Sequence, residues 1–380
     1  MQVSAAKFHL VQHLKDFLCG EEPTLPRGSW EDTLPALWQS GLGIVDIGAR
    51  DGWHPMWSEV ADFVHLVGFE PEQEAYQQLQ ARRTDSHRLR SVSYFPYGLS
   101  DTDGERVLHI CRSKGVSSFY MPQREFIVRF PDASRFDIVS SHSIPVRSLD
   151  SLFSDQMPNM PPYVGFLKID TQGSELDILR GARRALDEHV IGVEVEVEFS
   201  PVYESQPVFR HVDAYLVERG FSLFKLQRLH WVRGSSVVGI PPQVNAGQVI
   251  FGDALYLKDP YGVNAPKIST PQQAEALIVI ALLYDLHDFA LEISSHPVVE
   301  QLIQVHDVKR VILQRTQRLD SLQGWRETMR LIRGLRMVIK DWNTIKHWFP
   351  FMRQYPVTWA RGDGDLYTRA VLLHDGRSHE

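Results

Sequence analysis

The stretch VDIGARDG, residues 45–52, decides the fold. It predicts the end of a buried strand, GIVDI (43–47), followed by a turn in which Gly48 lets the backbone approach a ligand without a Cβ in the way. Parallel α/β sheets bind nucleotides in the crevice outside the carboxyl ends of their strands. The G-x-x-x-G spacing differs from the G-x-G-x-x-G dinucleotide fingerprint. Asp46 at the strand end would repel a pyrophosphate and attract a cationic amino group, which favours S-adenosylmethionine over NAD.

The next strand outward, VHLVGFE (64–70), ends in a second carboxylate. Glu70 is placed to accept hydrogen bonds from both hydroxyls of a ribose. The alternative for Glu70 is an acid in the first turn of a helix, which the helix dipole favours. Asp101, beside Ser100 in YGLSD, would accept a hydrogen bond from an adenine amino group, or else serves only as a turn residue.

The reaction side is predicted further along the chain, where the strand FLKID (166–170) runs into the turn TQGSE. Asp170 ends this strand, and Gln172 and Glu175 follow in the turn. Because this strand should neighbour the first one, these three polar side chains are expected beside the nucleotide crevice.

The strand IGVEVEVEF (191–199) puts Glu194, Glu196 and Glu198 on one face, because strand side chains alternate. Three buried carboxylates are costly unless they are paired or bound to a metal. A solvated strand face is one interpretation. The other is an acid cluster facing Asp170 that takes the proton from a substrate hydroxyl, or holds Mg²⁺ with Asp170, Glu194 and Glu196 as ligands.

With these residues in view, roughly residues 43–257 resemble the FkbM family of methyltransferases. The stretches that carry the resemblance are VDIGARDG (45–52), GFEPE (68–72), YGLSDTDGE (97–105), SSFY (117–120), IPVRSLDSL (144–152), FLKIDTQGSELDILRGA (166–182) and VEVEVEFSPVYESQPVFRHVDAYLVERGF (193–221). The resemblance implies a class I S-adenosylmethionine enzyme. Members of this family often methylate hydroxyls of sugars or of polyketide-type natural products.

Carried over residue by residue, the resemblance implies two sets of site residues. Cofactor roles fall to Asp46, Gly48, Ala49, Glu70, Ser100 and Asp101, and Arg50 is a further candidate for binding the cofactor. Catalytic roles fall to Asp170, Gln172, Glu175 and Glu196, with Tyr203 and Gln206 nearby. Two positions depart from the common pattern: Arg50 replaces an Asn, and Ser205 replaces a Gly. Arg50 either pairs with the cofactor carboxylate or points outward.

The predicted fold class is α/β: a doubly wound, mostly parallel, seven-stranded, Rossmann-like sheet with a C-terminal helical appendage. We expect a helical lead-in over residues 1–40, a methyltransferase domain over 41–260 and a helical C-terminal domain over 261–380. Residues 309–353 are rich in Lys and Arg interleaved with Trp and Phe. This segment is either a solvated basic face over a Trp-containing core or a docking surface for an anionic partner such as a membrane surface or a lipid-linked glycan.

Bulk properties narrow the class of partner. The net charge of −7 argues against a general nucleic-acid binder. The N-terminus lacks the pattern of a signal peptide, the two cysteines form no disulfide framework, and the longest apolar run, 276–284, is less than half of the roughly 20 residues that a membrane span needs. We therefore expect a cytoplasmic protein without a transmembrane segment.

The leading hypothesis is an S-adenosylmethionine-dependent O-methyltransferase acting on a sugar, a glycan precursor or a related natural product. An NAD-dependent dehydrogenase is disfavoured by the missing fingerprint and by Asp46. A non-catalytic scaffold that binds a partner through its C-terminal helices is disfavoured by the three strand-end acids Asp46, Glu70 and Asp170.

Overall fold

The structure is a computed structural model of the 380-residue chain. It describes residues 29–50, 52–82, 89–155, 160–233, 247–262, 266–306, 308–313, 316 and 360–362.

The strands are β1 Leu42–Ile47, β2 Val64–Phe69, β3 Ser91–Phe95, β4 Gly98–Leu99, β5 Gly104–Cys111, β6 Ile138–Arg147, β7 Val164–Ile169, β8 Gly192–Glu198, β9 Phe221–Trp231, β10 Gln248–Lys258 and β11 Ala360–Gly362. The α-helices are α1 Ser29–Thr33, α2 Pro35–Ser40, α3 Gln73–Arg82, α4 Arg124–Ile127, α5 Leu149–Ser154, α6 Glu175–Gly181, α7 Arg183–Glu188, α8 Phe209–Val217, α9 Pro271–Leu283, α10 His287–Ile293 and α11 Pro297–Leu302. Shorter 3₁₀ segments span Pro55–Phe63, Lys114–Val116 and Ala133–Phe136.

The main sheet has the strand order β11-β9-β10-β8-β7-β1-β2-β3. β1 pairs in parallel with β2 and β7, β2 with β3, and β7 with β8, whereas β10 runs antiparallel to both β8 and β9. The direction in which the sheet grows reverses between β1 and β7, which is the switch point where doubly wound sheets bind ligands. This confirms the predicted seven-stranded, mostly parallel, Rossmann-like sheet, to which the three-residue β11 adds an eighth edge strand.

Apolar residues on both sides of the strands explain why this sheet is buried. Leu42 and Ile44 belong to the hydrophobic cluster on one face, and Val45 and Ile47 belong to the cluster on the other. Near-continuous apolar strands are typical of parallel sheets that are covered on both faces.

The helices after residue 266 complete one of these two faces. Leu277 and Phe289, from α9 and α10, belong to the same cluster as Ile44 and Phe166 of the sheet and Leu37 of α2. The predicted C-terminal helices are present, and their apolar residues share one core with the sheet. An apolar sequence on all sides of α9 fits this position, because a helix that is hydrophobic all round is buried.

The C-terminal basic segment falls almost entirely outside the described residues. Of residues 309–353, the structure describes only 309–313 and 316, so the predicted docking surface lies outside the described residues. In the part of the chain that the structure describes, no helix is long and apolar enough to cross a membrane.

A second, three-stranded sheet with the order β4-β6-β5 stands beside the carboxyl ends of the main sheet. The loop after β5 carries Lys114, Ser118 and Phe119, and it crosses the switch point. Ser118 donates a hydrogen bond from Oγ to the backbone oxygen of Gln172 at 2.6 Å, which joins the small sheet to the turn after β7.

Candidate active site

The turn after β1 brings two strand ends into direct contact. The backbone N–H groups of Gly48 and Ala49 donate to the oxygen of Phe69 at 3.0 and 3.1 Å. Gly48 has φ +85°, and a Cβ at this position would lie 1.9 Å from the backbone oxygen of Asp170. Only glycine satisfies both conditions, so the predicted importance of Gly48 has a steric basis.

Asp46 lies under this turn with 4% of its surface exposed. The Nζ of Lys168 is 3.5 Å from its Oδ1. Burial raises the pKa of Asp46 to about 6, although Lys168 opposes this rise. Burial alone would lower the pKa of Lys168, but Asp46, Asp170 and Glu194 together raise it above its usual range. Asp46 therefore forms a buried ion pair behind the crevice and does not line it.

A cavity of about 130 Å³ opens at the carboxyl ends of β1 and β2. Its lining comprises Ile47, Gly48, Arg50, Phe69, Glu70, Pro71, Glu72, Gly98, Leu99, Leu108, Lys114, Gly115, Ser117, Phe119, Asp170, Thr171 and Gln172. The lining combines carboxylates and cations with the apolar side chains of Leu99, Leu108 and Phe119. This combination suits a ligand that has a charged end and a flat apolar end.

Glu70 projects into this cavity at the end of β2. Its Oε1 accepts a hydrogen bond from the backbone N–H of Glu72 at 2.8 Å. Burial raises the pKa of Glu70, and Arg50 partly opposes this rise. Arg50 lines the cavity with its Nη2 3.5 Å from Glu72, while Nζ of Lys114 lies 3.3 Å from the same carboxylate. Two cations thus meet around Glu72 in the cavity lining.

Besides Asp46, three predicted cofactor residues lie outside the cavity lining. Ser100 is buried, and its Oγ donates to Oδ1 of its exposed neighbour Asp101 at 3.1 Å. Ala49 is buried in the apolar cluster beneath the turn. Their cofactor roles remain predictions.

A second cavity, of about 220 Å³, adjoins the first. It is lined by Ser113, Gly115, Val116, Arg135, Phe136, Gln172, Glu196, Glu198, Val202, Tyr203, Trp231 and Phe251. Gly115 and Gln172 line both cavities, so a group bound in one would face a group bound in the other across this boundary.

Gln172 is fixed at the boundary by contacts from several sides. It has φ +58°, a conformation that non-glycine residues rarely adopt. Its Nε2 donates to Oδ1 of Asp170 at 3.1 Å and also to Oε2 of Glu196. The Tyr203 hydroxyl lies 3.2 Å from Oε1 of Gln172. Strained residues that surrounding contacts hold in place are concentrated at functional sites.

The acid cluster of β8 is buried, which excludes the solvated-face interpretation for its last two members. Glu196 is 8% exposed and Glu198 is 4% exposed. Burial raises the pKa of both carboxyls well above the usual range. Neighbouring carboxylates add to this effect, chiefly Asp170 at Glu196 and Glu175 at Glu198. Each of these carboxyls would therefore bind a proton more tightly than an exposed one.

Glu175 lies behind the turn and lines neither cavity. Its Oε1 accepts from the backbone N–H groups of Thr171 and Gly173 at 3.0 and 3.1 Å and from the Thr171 hydroxyl at 3.0 Å. Burial raises its pKa to about 7. These contacts close the turn that positions Gln172; the predicted catalytic role of Glu175 is a separate matter and stays a prediction.

The predicted magnesium site is not supported. Glu194 accepts a hydrogen bond from the Tyr284 hydroxyl and lies outside the lining of both cavities. Within the described residues, no group of three or more His, Cys, Asp or Glu side chains is arranged to hold a metal ion.

Several lining residues were not among the sequence candidates, among them Lys114, Arg135, Trp231 and Phe251. They come from loops and strands far apart in the chain, and none belongs to a motif with chemical meaning of its own. The aromatic and basic composition of residues 111–136 was the only sequence signal that pointed in this direction.

The chain was compared with curated proteins, with solved structures and with models of protein families. No curated protein matches the chain. Among solved structures, it is similar to a protein of the NADB-Rossmann superfamily from Streptococcus agalactiae (10% identity, 73% of this chain and 95% of that chain, TM-score 0.29). It is also similar to an rRNA methylase from Streptococcus thermophilus (10% identity, 63% and 99%, TM-score 0.28). A precorrin-6y C5,15-methyltransferase from Geobacter metallireducens matches at 9% identity (63% and 92%, TM-score 0.28).

Scores this low carry no argument about what the chain acts on. The model of the methyltransferase FkbM domain, in contrast, matches residues 46–223 directly. This range begins at Asp46 and contains the turn at Gly48, Glu70, Gln172 and the acid cluster of β8. Residues 46–223, just under half of the chain, therefore match a methyltransferase FkbM domain.

Proposed function

We propose that this protein transfers a methyl group from S-adenosylmethionine to a hydroxyl of a sugar, a glycan precursor or a related natural product. The observation that carries the proposal is the pair of cavities that meet at Gln172. One lies at the switch point of the sheet and suits a nucleoside, and the other ends in buried carboxylates that suit a hydroxyl. The sequence-based expectation of a cytoplasmic location belongs to the same proposal.

The first cavity fits the cofactor in both shape and charge. Glu70 would accept the ribose hydroxyls, Leu99 and Phe119 would enclose the adenine, and Arg50 would pair with the carboxylate of the methionine moiety. Gly48 lets the ends of β1 and β7 come together beside this moiety, because a Cβ there would lie 1.9 Å from the backbone oxygen of Asp170. When bound, S-adenosylmethionine supplies a methyl group on a sulfonium, which leaves as a neutral thioether.

On the acceptor side, the chain must orient a hydroxyl and receive its proton. Glu196 is the best placed base, because it contacts Gln172 at the boundary between the cavities. The acceptor oxygen gains the methyl group and loses its proton to the Glu196 carboxylate, so charge and atoms balance. In-line displacement depends mainly on positioning, which Gln172 provides through its contacts to Asp170, Glu196 and Tyr203.

This mechanism needs no metal ligand set. Because Glu194 is bonded to Tyr284, Asp170 and Glu196 are left without a third carboxylate ligand from the predicted set. We therefore assign the acid cluster a role in proton transfer and not in binding Mg²⁺.

Binding of the cofactor is tested by calorimetry with S-adenosylmethionine and S-adenosylhomocysteine. We expect Glu70→Ala to weaken binding roughly 100-fold, because two hydrogen bonds to a charged group are together worth about 3 kcal/mol. Glu74→Ala is the matched control, since Glu74 lies four residues away, contacts Lys114 and lies outside the cavity lining. Equal binding by wild type and Glu70→Ala would contradict the ribose assignment.

The acceptor class is tested by transfer of a labelled methyl group to a panel of monosaccharides and nucleotide sugars. The product is identified by mass spectrometry and NMR. A methyl ether is the expected product. A methyl group on nitrogen or carbon, or cofactor binding without transfer to any hydroxyl compound, would argue against the proposed reaction.

A further inference from the structure

Asp170 lies at the boundary between the two cavities. It follows β7 at the switch point of the sheet and lines the first cavity. Its Oδ1 accepts a hydrogen bond from Nε2 of Gln172 at 3.1 Å. Because Gln172 lines both cavities, the Asp170 carboxylate lies beside the place where a methyl group would pass from one cavity to the other.

The other two carboxylates in the lining of the first cavity are already engaged. Glu72 is paired with Arg50 and Lys114. Glu70 accepts a hydrogen bond from the backbone N–H of Glu72 and is assigned to the ribose. Within the described part of the chain, in contrast, Asp170 has no ion-pair partner, and its side chain has one hydrogen bond, which it accepts from Gln172.

A nearby lysine does not neutralise the carboxylates around it. Nζ of Lys168 lies 3.5 Å from Oδ1 of Asp46. Although burial opposes it, Asp46, Asp170 and Glu194 together raise the pKa of Lys168, so three carboxylates share the influence of this one ammonium. Burial and Asp170 also raise the pKa of Glu196. An excess of negative charge therefore remains at this edge of the cavities.

The cofactor of the proposed reaction changes its charge when the methyl group leaves. S-adenosylmethionine carries a sulfonium cation, and S-adenosylhomocysteine carries a neutral thioether in its place. A carboxylate beside the sulfur would attract the first ligand and not the second. This attraction is stronger where little water separates the charges.

We propose that Asp170 recognises the positive charge of the cofactor, so that the protein binds the sulfonium more tightly than the thioether product. The inference rests on the proposed methyl transfer, and it adds which residue distinguishes the cofactor from the product. Asp170 acts through binding: its attraction is lost when the charge leaves the sulfur, which favours exchange of the product for new cofactor.

The experiment compares three ligands by calorimetry at pH 8: S-adenosylmethionine, sinefungin and S-adenosylhomocysteine. Sinefungin carries an ammonium group in place of the sulfonium and has no methyl group to transfer, so it reports charge alone. We expect the wild type to bind both cationic ligands at least about 10-fold more tightly than S-adenosylhomocysteine.

Asp170→Asn should remove this preference and change the affinity for S-adenosylhomocysteine little. Asparagine has the same shape and keeps an oxygen that accepts the hydrogen bond from Gln172, so the turn after β7 is preserved while the charge is lost. Asp170→Ser, which also lacks the charge, is the second variant and should behave alike if Asp170→Asn fails to fold.

Asp253→Asn is the matched control, because it removes a neighbouring carboxylate that lies outside the lining of both cavities. Asp253 is paired with Glu196 in the register of β10 and β8. Burial, Glu194 and Asp170 raise its pKa to about 6, so it is ionised at the pH of the experiment. The preference for the cationic ligands should persist in this variant.

Three results would overturn the inference: equal affinity of the wild type for all three ligands, a preference that survives in both Asp170 variants, or a preference that Asp253→Asn removes as fully as they do. The proposed function is judged separately on the same samples. If the wild type binds none of the ligands, the proposed function fails and the inference fails with it. If S-adenosylhomocysteine binds and the cations are not preferred, only the inference about Asp170 fails.

Discussion

At the residue scale, the contact between Gly48 and the backbone oxygen of Asp170 fixes the distance between β1 and β7 at the switch point. A Cβ on residue 48 would lie 1.9 Å from that oxygen. Since backbone cannot rotate away as a side chain can, Gly48→Ala must push the two strand ends apart. We expect this variant to lose S-adenosylhomocysteine binding in calorimetry and to unfold at a lower temperature than wild type.

Gly52→Ala provides the control for this prediction. Gly52 has φ +80°, close to the φ of Gly48, but its Cβ would meet only Leu79 at 3.7 Å. It therefore carries the conformational cost of a left-handed residue, about 1–2 kcal/mol, without the clash. If both variants lose the same stability and retain binding equally, the contact at Asp170 does not shape the cavity.

A second prediction at this scale concerns the base. Glu196 accepts a proton only when ionised, and its pKa is raised well above the usual range by burial and by Asp170. Methyl transfer should therefore increase with pH through that raised pKa and level off above it. Glu196→Gln should lower kcat at least 100-fold, a loss within the range attributed to a positioned base, and should abolish this limb of the pH profile.

The matched variant is Glu194→Gln, on the same strand and the same side. Glu194 contacts Tyr284 and does not line the acceptor cavity, so the pH limb should remain. A limb that persists in Glu196→Gln and disappears in Glu194→Gln would move the proton acceptor to the other end of β8.

At the element scale, α9 holds α2 in place through a buried carboxylate. Oε2 of Glu275 accepts from the N–H of Leu37 at 2.8 Å, and Oε1 accepts from Ala36 at 3.2 Å. Burial nevertheless raises the pKa of Glu275 to about 7 from the 4.5 of an exposed glutamate. The folded state therefore binds this proton more tightly than the unfolded state between pH 4.5 and 7.

From this sign, Glu275 should make the free energy of unfolding decrease as the pH rises through that window. Between pH 5.5 and 7 the loss is at most about 2 kcal/mol, since each pH unit corresponds to about 1.4 kcal/mol. Glu275→Gln keeps an oxygen that accepts a hydrogen bond and removes the titration. Urea unfolding of both proteins at pH 5.5, 7 and 8 should show a difference that changes with pH; parallel curves would contradict the assignment.

The elements also show what the sequence alone predicts well. Strand ends such as Asp46 and Glu70 were found because a short, nearly continuous apolar run shows where a buried parallel strand stops, and ligands bind at the carboxyl ends of such strands. Ser205 was noted as standing where a Gly is common, and its φ of +59° explains that preference.

Other features depend on contacts between distant parts of the chain and carry no local signal. Arg135 and Trp231 meet only because the loop after β5 and the end of β9 approach each other across the site. Ser100 and Asp101 follow β4, which belongs to the small sheet and not to the main one. The sequence pattern puts Glu194, Glu196 and Glu198 on one face of β8. In the structure, Glu194 is bonded to Tyr284 at the end of α9, and only Glu196 and Glu198 line the cavity.

At the scale of the whole molecule, the question is whether the helices after residue 266 form a unit of their own. Their apolar residues belong to the same cluster as Ile44, Leu66 and Phe166 of the sheet. Without α9, this face of the sheet would be exposed to water. The described helices should therefore unfold together with the cofactor site and not before it.

Leu277→Ala tests this expectation. Leu277 is fully buried on α9, so its truncation should lower the free energy of unfolding by about 2–5 kcal/mol. Val298→Ala on α11 is the control: Val298 is 40% exposed, so this change should lower the free energy of unfolding by less than about 0.5 kcal/mol. S-adenosylhomocysteine should raise the unfolding temperature of the part of the protein that binds it. A single unfolding transition that the ligand shifts to higher temperature and that Leu277→Ala shifts to lower temperature would mean that the helices and the sheet share one core. Two transitions, with Leu277→Ala shifting only the ligand-insensitive one, would mean that the helices fold as a separate domain, as the sequence pattern suggested.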